Sequence, residues 1–190
     1  MNKFSLLALT LLAYAVPCLT ASGTDFAIKK VDVDYPVSPE FGQGGAVRWT
    51  PQKWAKLEVT FDAAPEFTEA LTFNYYVVLA DRLFVGHVDH VYIAKGRDLH
   101  SVMYMSPKTM LRISQKPALS TPWPFTQVTV TISKPGVAIP LAMGNYKGAG
   151  QAAWWTNMKQ EEGFLMNKTE TPFAPVCWDY YEAVKPAGAR

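Results

Sequence analysis

Between Lys56 and Ala63 apolar and polar residues alternate, with Leu57, Val59 and Phe61 on one side and Lys56, Glu58, Thr60 and Asp62 on the other. A period of two is the mark of a strand with one face buried and one solvated. Residues 127–133 repeat the pattern, placing Val128, Val130 and Ile132 inward and Gln127, Thr129, Thr131 and Ser133 outward. A further strand runs through Val31, Val33 and Tyr35 and is closed by Pro36 and Pro39, because proline removes a ladder donor. The segment LTFNYYVVLA, residues 71–80, is aromatic and β-branched on both faces, which predicts a central strand covered on both sides.

One helix interrupts the strands. In SPKTMLRIS, residues 106–114, Ser106 can cap the first turn and Pro107 suits the first helical position, while Met110, Leu111 and Ile113 supply an apolar side. The stretch PVCWDYYEAVK, residues 175–185, fits a short helix or a final strand equally well. Turn-rich pieces at residues 41–45, 62–67 and 114–124 separate the elements. Many short strands, frequent turns and few helices predict a mainly β fold, an immunoglobulin-like two-sheet antiparallel sandwich with one or two short helices.

The amino terminus changes the picture of where the chain works. Lys3, an apolar run from Phe4 to Val16, and small residues near Ala21 and Gly23 form the tripartite pattern of a secretory signal. Residues 1–23 are expected to be removed, leaving residues 24–190 as one sandwich domain with a C-terminal extension, in the periplasm, on the outer surface or secreted. The apolar run is short for a membrane span, and no later stretch is long and apolar enough to serve as one. Pro17 stands before Cys18 where a bacterial lipobox carries a small residue, which argues against lipidation there.

With Cys18 in the leader, only Cys177 remains, so no internal disulfide can staple the fold. Cys177 is expected to be buried beside Trp178 or to pair between chains. The formal net charge of +2 over 190 residues offers no basic stripe for nucleic acid.

All three histidines stand in FVGHVDHVYIAKGRDLHSV, residues 84–102. Strand alternation puts His87 and Asp89 on one face and His90 on the other. A metal site or a hydrolase centre would need His100 to return beside His87 and Asp89 on a following strand, with AKGRD as the hairpin turn and Gly96 at positive φ. Ser101 and Ser106 are the nearby hydroxyl nucleophiles, but neither sits in a nucleophile elbow. The plainer reading is a polar strand followed by a turn, with neither catalytic residue nor cofactor. Lys95, Gly96, Arg97 and Asp98 then become a candidate partner-binding turn.

For glycoside hydrolysis the available carboxylates are Glu161, Glu162, Glu170 and Asp179, none in a distinctive setting. The tryptophans are Trp49, Trp54, Trp123, Trp154, Trp155 and Trp178. Core packing explains most of them, while an exposed Trp154–Trp155 pair would instead make a carbohydrate-binding module. NKT at residues 167–169 matches a glycosylation sequon but, behind a bacterial type of signal, reads as a turn.

Two stretches, VYIAKGRDLHSVMYMSPKTMLRI and FLMNKTETPFAPVCWDYYEAVK, carry a resemblance that spans roughly Lys53 to Lys185. They resemble a family of small exported immunoglobulin-like proteins of verrucomicrobial bacteria, one of whose members is pilus-associated in Akkermansia. The resemblance implies a β-sandwich in the periplasm or at the cell surface, encoded near type IV pilus-like machinery and without established catalysis. It also implies a protein partner in the envelope or on the host surface. The leader lacks a prepilin signature, which suits an accessory role better than that of a pilus subunit.

Overall fold

Two strands of exceptional length dominate the fold: β2 (Ala55–Leu79) and β3 (Arg82–Met105), of 25 and 24 residues. This computed structural model describes residues 24–40, 50–115, 125–147 and 153–186. The expected leader with Cys18, the turn at 41–45, most of the turn at 114–124, and Trp49 and Trp123 lie outside the described residues.

The remaining elements are β1 (Phe26–Asp34), α1 (Pro107–Ser114), β4 (Phe125–Ser133), β5 (Ala142–Asn145), β6 (Gln160–Glu161) and β7 (Leu165–Asn167). All seven strands belong to one hydrogen-bonded sheet of order β5-β4-β2-β3-β6, with β1 also paired to β2 and β7 also paired to β3. Register breaks on β2 between Phe61 and Phe67, facing Ala94–Leu99 on β3. Extra residues in a ladder bend it and raise its twist, and here the bend divides the hairpin into two halves. One half is flanked by β1 and β7, the other by β4, β5 and β6.

The halves fold face to face, so one sheet supplies both layers of a β-sandwich. Phe61 and Phe73, on one strand either side of the bend, meet with ring centroids 4.9 Å apart. Leu57, Val59, Phe61, Phe73, Tyr75, Val130 and Ile132 are fully buried between the layers. Each such side chain contributes roughly 1.5–3 kcal/mol on removal from water. At the β1–β5 crossing Gly144 is seated against Ile28 and Val31, where a Cβ would overlap the Ile28 side chain.

The expected strands at residues 56–63, 71–79 and 127–133 are present, as is the helix, whose Ser106 accepts from the Thr109 amide. Four details differ. The hairpin turn is Ala80–Asp81, both left-handed at φ 49° and 59°, the combination that a two-residue turn of matching twist requires. Residues 94–98 remain within β3; Gly96 is not left-handed, and Asp98 takes φ 54° instead. Thr129, Thr131 and Ser133, expected outward, are buried: Trp154 and Tyr76 engage Thr129 and Thr131, and Ser133 is engaged by Asn74 and the Thr72 carbonyl. Leu111, expected on the helix's apolar side, is 44% exposed. The C-terminal piece is a 3₁₀ turn at Trp178–Tyr180 followed by a strap laid along β3.

Candidate functional site

His87, Asp89 and His100 do not converge. His87 stands opposite Asn74 and His100 opposite Thr60, on different halves of the hairpin, since no turn at Gly96 brings His100 back. His87 is exposed and lines a groove of about 460 Å³ with Asp89, Glu162 and Glu170. Two of those carboxylates have structural duties: Asp89 accepts from the Thr72 hydroxyl, and Glu170 accepts from the Asn167 amide. Glu161 is paired with Arg82. His100 Nδ1 lies 3.2 Å from Glu58 Oε1 without hydrogen-bond geometry, and its ring stacks on Tyr180 at 4.0 Å. Among the described residues no three His, Cys, Asp or Glu side chains are placed to share a metal ion.

The histidine that makes contacts of consequence is His90. Its Nε2 is 2.8 Å from Ser101 Oγ, which is in turn 2.8 Å from the Tyr75 hydroxyl, and its Nδ1 is 3.0 Å from the Glu182 carbonyl. A serine held against an imidazole resembles a nucleophile and its base. Yet Ser101 and Tyr75 are completely buried and His90 is 1% exposed. Burial drives the imidazole pKa down to about 4, outweighing the hydrogen bonds that favour its charged form. This chain of contacts satisfies buried polar atoms between the layers, and its hydroxyls on Ser101 and Tyr75 have no solvent-exposed surface.

The tryptophans divide. Trp155 is buried and stacks on Tyr76, with centroids 4.4 Å apart, while Trp154 is half-buried and donates from Nε1 to Thr129 Oγ1. Their rings stand at 85° to each other, so they do not form a flat exposed platform. Trp178, by contrast, is 66% exposed. Cys177, expected buried, is exposed, because its left-handed backbone (φ 50°) turns the following 3₁₀ segment outward.

Lys95, Gly96, Arg97 and Asp98 sit at the bend of the hairpin. Lys95 pairs with Glu66, the Asp98 amide donates to Asp62, and Leu99 packs beneath Gly96. Beside them two large rings face solvent: Phe67, 60% exposed, and Tyr92, 72% exposed, with centroids 6.3 Å apart. Tyr92 is left-handed at φ 57°, a sterically costly state for a bulky residue. Alternation shifts at this point: Val88 and His90 are buried before it, Ile93 after it. Strict alternation would have sent Tyr92 inward with His90, which is why the sequence did not single it out.

A family model matches residues 19–187. A crystal structure of a protein from Akkermansia muciniphila superposes with a TM-score of 0.71 at 21% identity, covering 85% of this chain and 93% of that one. At that identity the likeness is one of fold. No curated protein matches the chain.

Proposed function

Since this chain belongs to the family whose model spans residues 19–187 and shares the fold of a protein from Akkermansia muciniphila, we propose that it is one of the small, pilus-associated immunoglobulin-like proteins, a non-enzymatic, exported module that makes protein contacts. Its partners are components of a pilus-related assembly or of the host-facing surface. The observation that supports this reading is the exposed Phe67–Tyr92 pair at the hairpin bend, beside Lys95, Arg97 and Asp98. Aromatic rings framed by charges are what protein interfaces use as anchors and rim. Holding Tyr92 in a left-handed state is a local cost whose return is an outward ring.

A photo-crosslinking residue at position 92, in the full chain in its native cell envelope, tests the proposal. Crosslinks to pilus-machinery or surface proteins, reduced by Phe67→Ser, are expected. Crosslinks only from distant positions would contradict it. Retention of mucin glycans by the purified chain, with no protein captured, would transfer the reading to carbohydrate binding.

A further inference from the structure

A second place carries chemistry that the bend does not explain. Lys168 follows the Asn167 cap and is only 6% exposed. Its ammonium donates to the Ala174 carbonyl at 2.7 Å and lies 5.3 Å and 5.6 Å from the ring centroids of Trp178 and Tyr181. Among the described residues no carboxylate comes within ion-pair distance of it. A buried ammonium without a counter-charge is costly, and one carbonyl engages only one of its three donors. Cation–π contact offsets part of that cost.

Lys168 opens onto a cleft of about 250 Å³ between β3 and the C-terminal strap, walled by Trp178, Tyr181 and Val102, with Thr169 at its side. We propose that this cleft binds a small organic carboxylate with a flat apolar body, its carboxylate paired with the Lys168 ammonium and its body against Trp178 and Tyr181. The volume admits a single-ring molecule, below the usual range for larger ligands. A carboxylate there supplies the missing counter-charge through a charge-assisted hydrogen bond. Asp179 and Glu182 border the same cleft. Burial holds the Glu182 carboxyl above its ordinary range.

Benzoate titrated into the full chain is the probe, with benzamide as the neutral isostere and acetate as the carboxylate without a ring. Calorimetry and the Trp178 indole N–H resonance report binding. Saturable binding of benzoate is expected, with benzamide and acetate each weaker by about tenfold or more. Lys168→Arg retains binding and Lys168→Met loses it. Trp178→Ala, at an exposed position, weakens binding about tenfold while lowering the melting temperature only slightly, through its contact with Lys168. Equal affinity for benzoate and benzamide, undiminished binding by Lys168→Met, or no saturable benzoate binding by the parent chain would each overturn the proposal.

Discussion

His90 Nε2 and Ser101 Oγ stand 2.8 Å apart although both belong to β3. Eleven residues of straight strand would span about 36 Å. The contact therefore measures how completely the hairpin folds over itself, and it ties the bend to a buried titratable group.

That group makes stability depend on pH. The folded His90 pKa is held down to about 4 by burial, against about 6.5 in an unfolded chain. Below about pH 6.5 the unfolded chain takes up a proton that the folded chain refuses, so stability falls until about pH 4 and then levels. The window is worth roughly 3 kcal/mol. In His90→Gln this share of the slope is absent. Urea midpoints at about pH 7 and about pH 4.5 should then differ less than in the parent chain; an unchanged difference would refute the assignment.

Two glycines allow strands to approach closely. A Cβ on Gly86 would fall 2.7 Å from Leu165 Cβ and 2.9 Å from Met103 Cε. Gly86→Ala and Gly144→Ala are each expected to cost about 1–3 kcal/mol. Trimming Ile28 to Ala should recover part of the second loss in a double-mutant cycle, and independent, additive losses would show that Ile28 is not the obstacle.

Tryptophan positions should respond unequally. Trp155→Ala removes a buried ring stacked on Tyr76 and is expected to lower unfolding free energy by about 3 kcal/mol or more. Trp178→Ala should lower it by only about 1 kcal/mol, the share of its contact with Lys168. Denaturant unfolding followed by circular dichroism distinguishes the two, and a reversed order would mean that the aromatic layer over β4 is not part of the core.

Tyr92→Gly relieves the left-handed backbone at φ 57°. Glycine within a strand ordinarily destabilises by about 0.5–1 kcal/mol. Here thermal unfolding should show no loss, or a gain of about 1 kcal/mol. A loss of ordinary size would indicate that Tyr92 carries no strain.

Period-two alternation identified the inward sets of β2 and β4 because Leu57, Val59, Phe61, Val128, Val130 and Ile132 face one core. Alternation reports only the local face, however, and cannot tell what covers the other one. Thr129 and Thr131 look solvated in sequence and are buried, engaged by Trp154 and Tyr76. The actual turn, Ala80–Asp81, lacks the glycine that usually marks a left-handed pair, whereas Gly96 suggested a turn where the chain only bends. The histidines were separated correctly by strand face, but their roles depended on the bend. Phe67 and Tyr92 come together only through cross-strand pairing, and Lys168 is enclosed by rings ten and thirteen positions later in the chain.

A sandwich whose layers share one hairpin has a simple order of assembly. The first loop to close is the two-residue turn at Ala80–Asp81, and each further pair from Leu79–Arg82 to Ala55–Met105 extends an existing ladder. The entropy of closing a long loop is thereby taken in small increments. Zipping from that turn predicts that the layers meet once the ladder reaches the bend and that the contact between Phe61 and Phe73 forms late. Substitutions there should act mainly on the unfolding rate, while those near Ala80 act on the folding rate.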